Sequence, residues 1–155
     1  MKDLVVVLTT LVAVFAAAAL PAQTVDDSIQ LTRSVVQTER QAIVASNLGL
    51  SESESAVFWP LYREYRNAVD QATDAKVDIL KRLFSNYETL TDDEAMSLLT
   101  DHLAFERETL KIKTSYAKKM GKVLPGRTVA RFFQIENKID AIIDYEMAGE
   151  VPLVN

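Results

Sequence analysis

The sequence predicts an all-α protein, and three observations support that prediction. Apolar residues recur at steps of three and four through most of the chain. Two segments have the pattern of a capping box at a helix N-terminus, and no window alternates apolar and polar residues between turn signals as a strand does. These patterns and the breaks between them predict helices at about residues 26–48, 51–87, 91–122 and 127–148.

The N-terminal segment has the layout of a secretory signal peptide. Residues 4–20 contain no charge and consist largely of Val, Leu and Ala, and Pro21 and Ala22 follow them. We expect residues 1–22 to be removed and residues 23–155 to form a single helical domain outside the cytoplasm, without stable insertion in a membrane. The alternative is an uncleaved membrane anchor, because Asp3 offsets the charge of Lys2.

Composition argues against several function classes. The chain has a net charge of −5, whereas a nucleic-acid-binding domain usually carries a basic patch and a net positive charge. It has no cysteine, one histidine and four isolated glycines, which leaves too few residues for a zinc or copper site, a Gly-rich phosphate loop or a nucleophile with its base. We therefore expect a protein that is not an enzyme, with no cofactor, no metal and no nucleic-acid partner.

Each of the two long central helices is expected to begin at a capping box. A hydroxyl side chain caps the helix, and a glutamate three residues later reaches back to the cap. A leucine precedes each cap, and the two segments lie 40 residues apart. Two explanations fit this pair equally well: an internal duplication, or the chance reuse of a common capping pattern. The residues are Leu50, Ser51 and Glu54 in the first box and Leu90, Thr91 and Glu94 in the second.

Glycine and proline mark the other expected features of the helices. Gly49 is expected to end the first helix and Gly149 the last one. Pro60 lies in the third turn of the second helix, where it removes one backbone hydrogen bond and clashes with the carbonyl group of Ala56. We expect that helix to bend there and to continue.

The segments around Leu50 and Leu90, together with the export signal, the chain length and the lack of cysteine, resemble the LTxxQ motifs of the Spy/CpxP family of bacterial periplasmic helical proteins. The resemblance covers about residues 48–122, and Glu54 and Glu94 stand where the family has glutamine. It implies a kinked antiparallel helical hairpin of coiled-coil type with flanking N- and C-terminal helices, a curved homodimer, a periplasmic location, and a role as an ATP-independent chaperone or envelope-stress adaptor. A glutamate closes a capping box but lacks the donor group of the amide, so the fold transfers more directly than the function.

Two groups of residues form the candidate partner-binding surface. On the second helix, aromatic side chains beside two arginines can contact apolar client segments and steer acidic ones, although a helix core explains these aromatics equally well. The third helix carries one apolar stripe at helical spacing and a second, leucine-rich stripe about 100° from it around the helix axis. Bases follow the second stripe along the chain. The residues are Trp59, Tyr62, Arg63, Tyr65, Arg66, Leu99, Leu103, Leu110, Lys111, Lys118, Lys119 and Lys122.

Charged and titratable residues give weaker signals. Glu136, Asp140 and Asp144 recur every four residues on the last helix, and this spacing favours a solvent-exposed acidic face over a cation site. Like charges at that spacing destabilise a helix, so a compensating basic surface is expected nearby, and the bases between residues 107 and 131 could supply it. His102 lies on an apolar stripe, where a packed or edge position fits better than a metal ligand.

The sequence thus leads to two hypotheses. In the first, the protein is a periplasmic binding protein without catalysis, whose partners are unfolded or partly folded envelope proteins or a sensor domain. In the second, it is a structural or assembly module of the cell envelope that forms a homo-oligomer through its apolar helical face.

Overall fold

The computed structural model describes residues 36–154, and the fold of this range is all-α. Helix α1 occupies residues 36–48 and is followed by α2 (Glu52–Asn86), α3 (Asp92–Met120) and α4 (Gly126–Glu150). No strand occurs within the range, as the sequence predicted. The predicted signal peptide and residues 26–35 of the predicted first helix lie outside the described residues.

Both predicted capping boxes are present. The backbone N–H of Glu54 donates to the Ser51 hydroxyl at 3.3 Å, and the backbone N–H of Ser51 donates to the Glu54 carboxylate at 2.9 Å. Thr91 and Glu94 repeat the two bonds at the same distances. Hydrogen bonds from the Ser51 and Thr91 backbones lower the pKa of the two glutamates below its ordinary value. The starts of α2 and α3 are therefore determined by local sequence.

The helix ends agree with the sequence prediction to within one residue, except that α3 ends at Met120 and not at about residue 122, and that α4 ends two residues later than predicted. Gly49 ends α1 with a φ of 65°, a backbone conformation that glycine adopts without steric cost. Gly149 does not end α4, because the helix continues to Glu150. The end comes at Val151, which is extended, and the proline that follows it disfavours a helical conformation there. The helix α2 continues through Pro60.

The helices α2 and α3 form an antiparallel hairpin. Arg82 and Asp101 form an ion pair near the connecting loop, and the rings of Tyr65 and Tyr116 lie 5.6 Å apart farther from it. Residue numbers therefore rise along α2 as they fall along α3, which is the antiparallel arrangement.

The helices α4 and α1 cover one side of the hairpin. The rings of Phe58 and Phe132 lie 5.2 Å apart, and an ion pair joins Lys76 to Asp144, which lie later in the two helices. The helix α4 therefore runs parallel to α2. The helix α1 runs the opposite way, since Arg40 contacts Glu136 while the backbone carbonyl of Asn47 accepts a hydrogen bond from Arg131.

The hydrophobic core lies where α1, α2 and α4 meet the C-terminal part of α3. Four aromatic rings form its centre, and Phe132 meets Phe58, Tyr62 and Tyr65 edge to face, a geometry that aromatic quadrupoles favour. Toward the α2–α3 loop the hairpin buries fewer side chains, and Phe84 is half exposed. None of the helices in residues 36–154 is long and apolar enough to cross a membrane. The buried residues of this core cluster are Val44, Leu48, Phe58, Tyr62, Tyr65, Met120, Leu124, Val129 and Phe132.

Candidate functional site

The aromatic half of the candidate surface is mostly core. Tyr62 and Tyr65 are buried against Phe132 of α4, with ring centroids 6.0 and 5.6 Å away. Trp59 is half-buried and packs against Tyr62. Their assignment to a surface that partners reach is therefore wrong for Tyr62 and Tyr65, because α4 occupies the side of α2 that bears them. Arg63 alone of this group is exposed.

Arg66 also belongs to the interior. Its side chain is 13% exposed, and its guanidinium contacts Glu136 at 3.2 Å and Asp70 at 3.1 Å. It is committed to two acids of the protein itself and cannot steer a partner. The α2 half of the candidate surface thus reduces to Arg63 and the edge of Trp59.

The leucine half of the candidate surface lies open on α3. Met96, Leu99, Leu103 and Leu110, which we call the α3 row, are 60%, 48%, 51% and 65% exposed. They lie on the side of α3 away from the core, because Leu98 and Met120 mark the buried side. Exposed apolar side chains are ordinary when scattered, whereas several aligned on one helix indicate an interaction surface.

A strip of bases continues the α3 row toward the end of the helix. Arg107, Lys111 and Lys118 follow each other at steps of four and seven residues and so share one face of α3 over about 16 Å. Lys122 lies in the turn just after the helix, and we call these four bases the basic strip. They line an open groove of about 620 Å³ together with Leu110. The groove is also lined by Thr114, Ser115 and Lys119.

Most bases of the basic strip form no ion pair with an acid among residues 36–154. Lys111 contacts Glu108 at 3.1 Å, and both side chains are largely exposed. Lys119, beside the strip, lies 3.8 Å from Glu64. Within the described part of the chain, Arg107, Lys118 and Lys122 have no ion-pair partner. Their charges remain directed outward, which suits attraction of an acidic partner.

A second cluster of charges lies inside the bundle. Oε2 of Glu136 accepts from Nη1 of Arg40 at 3.1 Å and from Nη1 of Arg66 at 3.2 Å, and the Glu136 side chain is fully buried. Asp140 accepts from Arg40 at 2.9 Å and from Lys113 at 2.8 Å. One network therefore joins all four helices.

This network corrects the prediction of a solvent-exposed acidic face on the last helix. Glu136 is buried and Asp140 is half-buried, and only Asp144 is exposed, where it binds Lys76 at 2.9 Å. The compensating bases come from α1, α2 and α3. Of the run between residues 107 and 131, Lys113 alone contacts these acids within the described residues.

The network changes the pKa of the groups around it. Burial alone would raise the pKa of Asp140, but Arg40 and Lys113 together lower it below its ordinary value. Burial lowers the pKa of Arg40, but the nearby charges of Glu136 and Asp140 outweigh that effect and raise it. Burial and the negative charge of Glu136 raise the pKa of Tyr62 to about 12 and that of Tyr65 further still. Asp140 and Arg40 are thus ionised at neutral pH, while the two phenols are not.

The remaining residues of chemical interest lie apart from each other. His102 is exposed at the edge of α3, with its ring 6.4 Å from that of Phe105. Among residues 36–154, no three His, Asp or Glu side chains are grouped in a way that could hold a metal ion. The candidate surface predicted from the sequence lacked Met96 and Arg107, although Arg107 was counted among the bases between residues 107 and 131. The signal was available, since Met96 lies seven residues before Leu103 and Arg107 lies four before Lys111.

Comparison of the chain with protein-family models, with curated proteins and with solved structures finds no match. The candidate site of this chain is accordingly defined by its own geometry. It consists of the α3 row and the basic strip on the outer face of α3, on a bundle held together by an aromatic core and an internal charge network.

Proposed function

We propose that the protein is a non-catalytic binding protein of the periplasm, acting as an ATP-independent chaperone or envelope-stress adaptor. Its partners are unfolded or partly folded envelope proteins, or a sensor domain, held on the outer face of α3. The single observation that carries the proposal is the exposure of the α3 row beside the basic strip.

The two parts of this face supply different contributions to binding. The α3 row offers apolar contact to any chain whose own core is not yet formed, and such contact requires no specific sequence. The basic strip adds attraction for acidic segments and so raises the rate of encounter. A shallow open groove accepts a linear segment better than a small molecule, which favours a polypeptide partner.

The predicted export signal and the resemblance of the capping-box segments to LTxxQ motifs support the location and the class of function. Of the surface predicted from the sequence, the proposal keeps the part on α3, because Tyr62 and Tyr65 are buried. The outer face of α3 carries the role without them.

The test is suppression of the aggregation of an unfolding model protein without ATP. The protein is expected to suppress aggregation at a near-stoichiometric ratio. Replacing Leu99, Leu103 and Leu110 together by serine should weaken suppression by roughly tenfold or more, since each removes apolar contact area. The substitutions are expected to preserve the fold, because all three side chains are about half exposed or more.

A matched control changes three exposed apolar residues elsewhere. Val57, Tyr145 and Leu153 are 39%, 79% and 87% exposed and lie on α2, on α4 and after α4. Their joint replacement by serine should leave suppression unchanged. The proposal fails if the wild-type protein gives no suppression at large excess, or if the two triple variants lose it equally.

A second candidate function is a permanent assembly module of the cell envelope. The observation that favours it is spacing: Met96, Leu103, Leu110 and Ala117 follow one another at steps of seven residues, as in the seam of a coiled coil. A permanent homo-oligomer would keep this seam covered. A hydrophobic dye distinguishes the two functions, because it binds the open α3 row of a chaperone and fails to bind a stable assembly.

A further inference from the structure

We infer that the end of the bundle at the turn between α3 and α4 docks on the surface of an anionic phospholipid bilayer, with the α3 row directed away from that surface. The docking is argued from charge and exposure alone. Its consequence, that clients are held beside a bilayer, rests on the proposed function.

The turn between α3 and α4 forms an apolar tip at this end of the bundle. It follows Met120 and leads into α4 at Gly126. The Val123 side chain is 52% exposed, and Pro125 is exposed as well. Leu124, which lies between them, is buried in the core and holds the turn in place. The tip therefore presents two apolar side chains to solvent on a fixed support.

Bases lie on both sides of the tip along the chain. One is in the last turn of α3, one is in the connecting turn, and two are in the first two turns of α4. All four are exposed, in a region of the sequence where Glu108 is the sole acid between residues 107 and 131. These bases, with Val123 and Pro125, form what we call the basic end. The four bases are Lys119, Lys122, Arg127 and Arg131.

The charges of the basic end are largely unneutralised. Lys122 and Arg127 form no ion pair with any residue that the structure describes. Arg131 donates its Nε–H to a neutral acceptor, the backbone carbonyl of Asn47, at 2.8 Å. Lys119 lies 3.8 Å from a carboxylate oxygen of α2, but both side chains are about half exposed, and water weakens such a pair.

Two acids at the start of α2 lie at the same end of the bundle. The Glu54 carboxylate accepts a hydrogen bond from the Thr128 hydroxyl of α4 at 3.1 Å and another from the Ser51 backbone at 2.9 Å, so its charge serves the helix start. Glu52 is exposed and belongs to the same first turn. Its charge opposes the bases and provides a test of them, because its removal should strengthen binding to an anionic surface.

The charge of α3 changes sign along its length, which sets the orientation. Its first turn carries Asp92, Asp93 and Glu94, at the end of the helix opposite the basic end. An anionic surface attracts one end and repels the other, so α3 stands away from the surface. Leu110, the member of the α3 row nearest the basic end, then lies about 15 Å from the end of the helix by the rise of 1.5 Å per residue. The α3 row stays uncovered.

A bilayer suits the basic end better than an acidic polypeptide does. Exposed bases spread over two helices do not fix the geometry of one carboxylate, whereas mobile lipid headgroups adapt to any spacing of bases. The apolar tip can also enter the boundary between headgroups and acyl chains, which a soluble polyanion does not offer. The contact is peripheral, with bases against phosphates and Val123 below them.

Pelleting of the protein with vesicles tests the docking. The probes are vesicles of phosphatidylcholine alone and vesicles of equal parts of phosphatidylcholine and phosphatidylglycerol. We expect the wild type to pellet with the anionic vesicles at low salt, to be released at high salt, and to stay in solution with the zwitterionic ones. Equal binding to both kinds of vesicle, or binding to neither, overturns the docking.

Charge variants locate the contact. Lys122→Glu combined with Arg127→Glu should weaken binding to the anionic vesicles about tenfold or more. The matched control combines Arg63→Glu and Lys138→Glu, which change the net charge equally at exposed positions about three turns farther along α2 and α4, and it should bind nearly as the wild type does. Glu52→Gln should bind more tightly than the wild type. Equal losses in the two double variants overturn the docking.

The apolar tip separates a bilayer from a soluble polyanion as the partner. Val123→Ser should weaken binding to the anionic vesicles about threefold or more, because it removes the group that enters the boundary. Val154→Ser, at a position that is 51% exposed in the C-terminal tail, should bind as the wild type does. Polyglutamate at equal charge should leave the vesicles bound. Unchanged binding by Val123→Ser, or displacement by polyglutamate, overturns the choice of a bilayer.

Client capture on vesicles tests the consequence. An unfolding model protein that does not bind vesicles by itself should pellet with the anionic vesicles when the wild type is present. It should stay in solution with the double variant of Lys122 and Arg127, which keeps the α3 row. If aggregation is suppressed and no vesicle is bound, the docking is wrong and the proposed function stands. If vesicles are bound and no client is captured, the docking stands and the proposed function is wrong.

Discussion

Arg40 and Glu136 form an ion pair inside the bundle, with Nη1 and Oε2 3.1 Å apart and side chains 4% and 0% exposed. The same carboxylate oxygen receives Arg66 at 3.2 Å. Removing an ion from water is costly, and this cost is offset when the ion is well paired. One acid on α4 therefore pairs with a base of α1 and with a base of α2. Removing its charge leaves both bases with one counter-charge fewer.

Loss of the Glu136 charge should destabilise the protein strongly. We expect Glu136→Gln to lower the free energy of unfolding by about 3–5 kcal/mol, because Arg40 and Arg66 stay buried without their shared counter-charge. Urea unfolding followed by circular dichroism measures the change. The control is Asp101→Asn, which breaks the Arg82 ion pair between two side chains that are 44% and 41% exposed, and it should cost less than about 1 kcal/mol. Similar small losses in the two variants would contradict a structural role for the buried charge.

The Asp140 carboxylate should make stability depend on acid pH. Its pKa in the folded protein lies below the ordinary value of 3.8, so the unfolded chain takes up a proton first as the pH falls. The stability that Asp140 contributes is full at neutral pH and is lost from about pH 4 downward through the folded pKa. We expect Asp140→Asn to lose about 1–3 kcal/mol at pH 7 and to show a smaller further loss between pH 5 and pH 3 than the wild type. Parallel losses in the two proteins over that range would refute the assignment.

The hydroxyl group of Tyr65 should be dispensable for stability. Its oxygen is buried and has no hydrogen-bond partner among residues 36–154, while its ring packs against Phe132 at 5.6 Å. Burying an unpaired hydroxyl costs free energy, so Tyr65→Phe is expected to be neutral or to stabilise by up to about 1 kcal/mol. Thermal unfolding measures the effect, and Tyr65→Leu, which removes the ring as well, should destabilise the core. A marked loss in Tyr65→Phe would show that the hydroxyl makes a favourable contact.

The capping serine should matter more than other serines of the same helix. Ser51→Ala removes the side-chain acceptor at the start of α2 and is expected to cost about 0.5–2 kcal/mol. Ser85 lies near the end of α2, where its hydroxyl bonds the backbone carbonyl of Lys81. Its replacement by alanine should be nearly neutral because alanine favours helix. Urea unfolding of both variants checks the difference, and equal losses would exclude a capping role.

The boundaries of α2 and α3 follow from the sequence because their causes are local. Ser51 and Glu54, like Thr91 and Glu94, lie three residues apart, so the capping bonds that start each helix are encoded within one turn. The end of α4 was mispredicted for an equally local reason. The proline after Val151 ends the helix more strongly than Gly149 does, because a glycine can also adopt the helical conformation.

The surfaces were harder to predict because burial depends on distant partners. Periodicity placed Tyr62 and Tyr65 on one stripe of α2, and the packing of Phe132 on that stripe decides that it is core. Regular spacing of acids on α4 gave no sign that Arg40, 96 residues earlier, would bury Glu136. The openness of the α3 row likewise depends on which side of α3 the other helices occupy.

The contact between Arg40 and Glu136 also bears on the order in which the molecule assembles. Contacts within the α2–α3 hairpin, such as that between residues 82 and 101, span about 20 positions of the chain and can form while later parts are still being made. The contact of α1 with α4 spans 96. Arg40 can therefore pair with Glu136 only after almost the whole polypeptide has been synthesised. The helix α1 is made before α2, α3 and α4, and it packs into the bundle last.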